Sequence, residues 1–312
     1  MRQFYTQYEY VMAATQLVLA MLGIGLTLTP KDFKNTLLYP RSLTLGMALQ
    51  MLLAPLFAFL VLKSGSVSLG VVTGLILCAT APGGSASNIF THVARGNTSL
   101  SVSMTVLTSV ICVVSIPFLL EQMINDGSTM KVAVPVERIG LEIGGFLLTP
   151  LLLGMGILKL LPIRAAALSK WCVRVSLAII ALMITTALTS GRMDLKAFGA
   201  ANIAIVLAFM LSHILGTMLL TKAAGMPRAD ITAVVIETAV RNGSLALMIK
   251  ASLIPSDSVK GVDYVLFTVM LYTGLQSLMA LVLVPLGRRF NAGSSAPAGE
   301  PFQPGLATPA IR

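Results

Sequence analysis

Apolar residues dominate nine stretches of roughly 18 to 26 residues, the length a helix needs to cross a bilayer. They lie at 9–29, 42–62, 67–93, 98–120, 139–161, 171–190, 197–221, 229–254 and 262–286. Short loops separate them, the longest between the fourth and fifth. Pro30, Pro40, Pro162, Pro227 and Pro255 sit at their ends, where proline terminates helices. The pattern predicts an all-α polytopic membrane protein with nine transmembrane helices.

Two of the nine are interrupted. In Leu75–Val93 (LILCATAPGGSASNIFTHV), Pro82-Gly83-Gly84 breaks the helix, and Ser85, Ser87 and Asn88 follow. In Ile231–Ile249 (ITAVVIETAVRNGSLALMI), Glu237, Arg241, Asn242, Gly243 and Ser244 occupy the same depth. Lipid gives an open backbone no partner, so such breaks persist only where protein encloses them. The bland reading is two kinked structural helices, but mid-membrane ionisable residues call for a function. The interrupted spans are third and eighth, so they run in opposite directions. This is the plan of an inverted repeat of five helices whose first half lacks its opening helix. The broken helices are expected to cross back to back near the midplane, with their half-helix amino ends facing one cavity, as at a transporter binding site.

Composition agrees with a membrane protein. Hydrophobic residues are 56% of the chain and charged residues 11%, whereas soluble domains carry about a quarter. Cys78, Cys112 and Cys172 have no CxxC or His/Cys ligand spacing and read as small core residues. The net charge of +10 distributes by side rather than as a nucleic-acid stripe. Eight Lys and Arg fall on the side of the amino end and thirteen on the other, while acids favour the first side by eight to three. Positive residues stay inside. The amino end is therefore expected outside the cell membrane and the carboxyl end in the cytoplasm. MRQFYTQYEY does not read as a cleavable leader. Residues 291–312, rich in Ser, Gly, Ala and Pro, read as a disordered cytoplasmic tail behind a transporter domain at 1–290.

Glu237 carries the sharpest chemistry. A carboxylate at this depth must be paired, protonated or bound to a cation. Two readings stand together: a ligand for a small monovalent cation, and an ion pair with Arg241 one turn later. Hard cations want oxygen. Ser87 and Asn88 lie at the first break, and Ser101 and Thr105 share one face of the next span. Ser85 and the amides after Gly83-Gly84 form a helix amino end that favours an anionic carboxylate, and Asn242, Gly243 and Ser244 supply its counterpart. His92 and His213 read as core residues before proton relays. A cation beside an anion describes a cation-coupled organic-anion carrier. A channel wants rings of charge, a sensor wants a signalling domain, and an enzyme wants a catalytic cluster; none of these patterns occurs.

The stretches APGGSASNIFTHVARGNTSLSVSMT at 81–105 and IETAVRNGSLALMI at 236–249 resemble the signatures of the bile acid:sodium symporter family, as do GLTLTPKDF at 25–33 and ALQMLLAP at 48–55. The resemblance covers almost all of the membrane portion. It implies a core domain with crossed broken helices, built around 67–120 and 197–254, and a panel domain drawn from 9–62, parts of 139–190 and 262–286. It also implies rocking between them for alternating access, and a nine-helix plan like that of the animal members. The family's first sodium site falls on Ser87, Asn88, Ser101, Thr105 and Glu237. Its second falls on Gln50, Glu237, Thr238, Val240 and position 241, where the family pattern has glutamine and this chain has arginine. A guanidinium has no acceptor and a fixed charge. Arg241 is therefore expected to replace the second sodium, pairing with Glu237 and Gln50, or else to clamp the substrate carboxylate. Ser85, Asn242, Gly243 and Arg241 are the candidate substrate contacts. The implied cargo is an organic monocarboxylate, bile acid-like or a small oxo or hydroxy acid such as pantoate or pyruvate. Proton coupling through Glu237 and uncoupled transport are the alternatives, and oligomeric state is open.

Overall fold

The computed structural model describes residues 2–29, 40–127, 135–254 and 261–292, with backbone alone at 2–7, 85 and 124–127. Among these residues the fold is helical. Helix α1 is Arg2–Gly25, α2 Pro40–Lys63, α3 Leu69–Thr80, α4 Ser85–Val93 and α5 Thr98–Gly127. Helix α6 runs Val136–Leu160, followed by α7 Pro162–Thr189, a single turn at Leu195–Phe198, and α8 Ala200–Ala223. Then come α9 Arg228–Ala239, α10 Gly243–Leu253 and α11 Tyr264–Asn291. Seven of these are long and apolar enough to cross a membrane: α1, α2, α5, α6, α7, α8 and α11. The other four form the two interrupted pairs, α3 with α4 and α9 with α10.

Proline placement departs from the expectation that it ends helices: Pro40 opens α2 and Pro227 caps the start of α9. Pro162 opens α7 instead of closing the preceding span, because a first-turn proline loses no helical hydrogen bond. The helix therefore begins nine residues before the expected 171. Pro55, Pro117 and Pro285 lie inside α2, α5 and α11. A π turn at Gly144–Leu148 interrupts α6, a feature no residue pattern announced. Pro30, Pro255 and the tail from 293 lie outside the described residues.

Polarity is inverted relative to a soluble protein. Leu52, Val114, Leu153, Leu177, Leu219 and Leu281 are exposed, while Glu237, Arg241 and Lys250 are buried. That distribution suits lipid as solvent: this is a multi-pass membrane protein. Helix α1 lies along α6 and α7 and also meets α10. Helix α2 packs on α3, α5 and α8, and α11 on α3, α10, α8 and α9. So 40–63 and 264–291 pack against the broken helices. Where α1 meets α6, a Cβ on Gly154 would come 2.6 Å from the Leu22 carbonyl oxygen. Without side chains between them the two backbones touch, which is how helices associate when lipid supplies no hydrophobic drive.

Candidate cation site and the paired helix breaks

The two breaks satisfy each other's backbone. Ala81 leaves the helix with extended angles (φ −63°, ψ 145°), and so does Val240 (φ −102°, ψ 92°). Gly83 then stands opposite Arg241 in an antiparallel bridge. The Gly84 N–H donates to the Val240 carbonyl at 2.8 Å, and the Asn242 N–H donates to the Pro82 carbonyl at 2.8 Å. Buried peptide groups need such partners. Asn242 also caps α10, its Oδ1 accepting from the Leu245 N–H at 3.1 Å.

Glu237 lies beside this bridge, fully buried. Its carboxylate accepts hydrogen bonds from Ser87 Oγ (2.5 Å) and Ser101 Oγ (2.7 Å) on Oε2, and from Thr105 Oγ1 (2.5 Å) on Oε1. Asn88 Oδ1 completes the cluster, 2.8 Å from Ser101 Oγ and 3.3 Å from Thr105 Oγ1. Ser101 has one proton for two acceptors, so these oxygens crowd one point beyond what hydroxyl donors alone can satisfy. The structure thus brings together all five residues assigned to the first sodium site, from α4, α5 and α9. The donor set is oxygen only, with one carboxylate, which fits a hard monovalent cation. Among the described residues no group of three His, Cys, Asp or Glu could hold a metal otherwise. Gly83 makes the approach possible, because a Cβ there would overlap the Glu237 carboxylate.

Arg241 matches the first expectation in part: it bonds Gln50, through the backbone carbonyl, but makes no direct pair with Glu237. The guanidinium instead donates to three carbonyls: Nε to Thr238 (2.9 Å), Nη1 to Ala81 (3.1 Å) and Nη2 to Gln50 (2.9 Å). It is 3% exposed, so it offers no fork to a substrate carboxylate. Of the groups assigned to a second cation, the Thr238 carbonyl is bound by this guanidinium and the Val240 carbonyl by Gly84. The Gln50 side chain is buried, and neither of its amide atoms has a hydrogen-bond partner.

The other candidates divide. Gly243 faces Thr273 of α11, where a Cβ would overlap the hydroxyl, so helix packing rather than ligand access explains that glycine. The Asn242 amide nitrogen points to Met21 Sδ of α1 at 3.8 Å. The Ser85 side chain lies outside the described residues. His92 is exposed at the end of α4. His213 is a satisfied core residue: Nδ1 is 2.8 Å from the Phe209 carbonyl and Nε2 3.2 Å from the Tyr272 hydroxyl. Sequence reasoning missed Gln276 of α11, whose side chain hydrogen-bonds the backbone of Arg241. The available signal was an amide inside an otherwise apolar span.

Long apolar helices, a pair of bridged helix breaks and an oxygen-lined buried carboxylate define a polytopic membrane protein of the secondary-transporter kind. Residues 14–198, more than half of the chain, match the Sodium Bile acid symporter family, and the chain belongs to it. Members of that family are transporters, not enzymes. The probable sodium/metabolite cotransporter BASS1, chloroplastic, of Arabidopsis thaliana is 30% identical over 238 residues, 75% of this chain and 57% of the relative. The sodium-dependent transporter YocS of Bacillus subtilis is 37% identical over 100 residues, 32% of this chain and 31% of its own. The hepatic sodium/bile acid cotransporter of Rattus norvegicus is 31% identical over 132 residues, 41% of this chain and 36% of its own. The chain spans little more than half the length of the Arabidopsis relative.

Proposed function

We propose that this protein carries an organic monocarboxylate across a cell membrane together with one sodium ion, and that the Arg241 guanidinium stands where a second cation would bind. The convergence of Ser87, Asn88, Ser101 and Thr105 on the Glu237 carboxylate is the observation that carries the reading. Each interrupted pair makes one crossing, which gives nine crossings and an inverted repeat. By their contacts α1, α6 and α7 form the panel and the remaining helices the core, and the two rock about the cleft between them. The positive-side count supports a cytoplasmic carboxyl end. Asn242 and Ser85, at the starts of α10 and α4, are the substrate contacts. The relatives named for metabolites and for bile acids support a carboxylate cargo of either size.

Sodium binding draws the hydroxyl oxygens onto the ion and turns their protons outward. Its charge neutralises Glu237, and a carboxylate can then approach the helix amino ends. One sodium and one monoanion carry no net charge. Uptake into proteoliposomes should therefore be unchanged by an imposed potential, with a sodium Hill coefficient near one. A second sodium would add about 2.3 kcal/mol of driving force per 100 mV.

Thermal unfolding in detergent, NaCl against KCl at equal ionic strength, tests the site directly, because a ligand of the folded state raises the midpoint. Stabilisation by sodium, increased further by a carboxylate, is the expected result. A carboxylate effect without a sodium effect would identify an uncoupled or proton-coupled carrier. The Arg241→Gln variant should raise the Hill coefficient and make uptake voltage-sensitive. A coefficient near two in the unaltered protein would sink the arginine substitution.

A further inference from the structure

The bridge between the breaks leaves the Arg241 N–H without a partner in either break. In an antiparallel bridge of this type the flanking residues exchange the hydrogen bonds, here Gly84 with Val240 and Asn242 with Pro82. The N–H and C=O of Arg241 itself point the other way, into the protein, where water is excluded. One side chain reaches both, and the carbonyl also accepts from the Gly243 N–H at 2.9 Å. Gln276 Oε1 accepts from the Arg241 N–H at 2.8 Å, and Gln276 Nε2 donates to the Arg241 carbonyl at 3.0 Å. A primary amide is suited to this because it donates and accepts side by side, as a neighbouring strand would. Gln276 is itself 5% exposed.

The rest of this face of α11 holds the same segment. Tyr272, one turn before Gln276, places its hydroxyl 3.4 Å from the Ala239 carbonyl, and Thr273 packs against Gly243. Helix α11 therefore grips the second break at 239, 241 and 243. Among the described residues no side-chain amide clamps the first break in this way. The amide nearest Gly83 is that of Gln50, and it is without a hydrogen-bond partner.

We propose that Gln276 is a positioning residue for cation coupling. By clamping the main chain of Arg241 it fixes the Cα from which the side chain turns back to Thr238, Ala81 and Gln50, and so keeps the guanidinium in the carbonyl cage in place of a second sodium. This rests on the reading of Arg241 as a built-in cation. A guanidinium on a long, rotamer-rich stem holds three carbonyls only if its root is fixed, since ordering that stem opposes the contact. The Gln276 clamp supplies that fixed root, and it ties the stoichiometry of coupling to the position of α11.

The test is a double-mutant cycle on the sodium midpoint, read by thermal shift in detergent and by uptake in proteoliposomes. The variants are Gln276→Met, Arg241→Gln and the pair. Gln276→Met keeps the volume and removes both hydrogen bonds. Alone it should move the sodium midpoint roughly tenfold, the scale two hydrogen bonds set, and raise the Hill coefficient above one. In the Arg241→Gln background it should move the midpoint by less than about threefold, the arginine being already gone. Gln276→Leu, which also removes both hydrogen bonds without adding charge, should behave like Gln276→Met and serves if that variant does not fold. A purely structural role would lower the unfolding midpoint while leaving the sodium midpoint and Hill coefficient alone, and that result overturns the proposal. Equal shifts in both backgrounds overturn it as well, while the one-sodium reading stands. If the unaltered protein ignores sodium or binds two ions, the parent reading falls first and this inference falls with it.

Discussion

Glu237 and Arg241 make one buried charge cluster, and Glu9, Lys250, Asp263 and Arg192 make another. In the first the opposite charges are kept apart. The carboxylate faces hydroxyls and the guanidinium faces carbonyls, so each ion is solvated by neutral groups. In the second the charges meet. Lys250 Nζ lies 2.8 Å from Glu9 Oε1 and 2.6 Å from Asp263 Oδ2, and Arg192 Nη1 lies 3.6 Å from Asp263 Oδ2. All four of these side chains are 3% exposed or less. The paired cluster ties α1, the end of α10, the amino cap of α11 and the turn after α7 into one junction; the Asp263 N–H also donates to the Arg192 carbonyl at 3.1 Å. Matched pairs leave no vacancy of charge for a mobile ion. A carboxylate solvated by hydroxyls does, because hydroxyl oxygens can turn from donor to ligand without moving. The second interrupted pair thus carries the carboxylate without an ion-pair partner on α9 and the ion-paired ammonium on α10.

The largest effect should come from breaking the paired cluster. Lys250→Met leaves Glu9 and Asp263 as buried carboxylates with only Arg192 near, and should cost about 3–5 kcal/mol of unfolding free energy. Adding Glu9→Gln should recover much of that loss, since it removes the stranded charge and leaves Asp263 with Arg192. Denaturant unfolding in detergent measures both. A loss below about 1 kcal/mol for Lys250→Met would mean that water solvates the cluster, and the contrast with Glu237 would collapse.

Next in size is Gly83→Ala. The new methyl would overlap the Glu237 carboxylate and lie 3.1 Å from Gln50 Nε2. Overpacking of this kind costs about 1–3 kcal/mol. The carboxylate must tilt away from Ser87 and Thr105, so the sodium midpoint in a thermal-shift titration should rise more than tenfold. An unchanged midpoint would place the cation elsewhere.

The two clusters also differ in how far the chain announced them. Pro82-Gly83-Gly84 and Arg241-Asn242-Gly243 inside apolar spans located both breaks, and the structure ends α3 at Thr80 and α9 at Ala239. Ser101 and Thr105, one helical turn apart, were readable as one face, and the oxygens around Glu237 followed from residue type. Two things were not readable. The partners of Arg241 are main-chain carbonyls of three separate segments; the resemblance named Gln50 and Thr238, but every residue has a carbonyl, so side-chain identity could not add Ala81. The paired cluster joins positions as far apart as Glu9 and Lys250, and its members look like ordinary charges at the ends of spans. Counting them for topology hid that they are buried. Their balanced signs on the same side of the membrane were the only trace.

Removing the charge of Glu237 should change stability least and function most, and this sharpens the comparison further. In Glu237→Gln the amide oxygen can keep Thr105 as donor, while the NH2 replaces the oxygen that Ser87 and Ser101 approach, and Ser101 can donate to Asn88 Oδ1 instead. Ser87 can turn its proton to the Gly84 carbonyl, 2.6 Å away, and then accept from the amide NH2. Arg241 keeps its three carbonyl hydrogen bonds, although it loses the nearby opposite charge. Replacing an unpaired buried ion with a neutral isostere is close to neutral or stabilising. Unfolding without sodium should therefore stay within about 1 kcal/mol of the unaltered protein. The sodium-induced shift should vanish, since no anionic ligand remains to offset dehydration of the ion. Lys250→Met and Glu237→Gln each delete one buried charge, yet the first should unfold the protein readily and the second should leave it folded and blind to sodium. A destabilisation of Glu237→Gln as large as that of Lys250→Met would show that Glu237 and Arg241 are a structural pair after all.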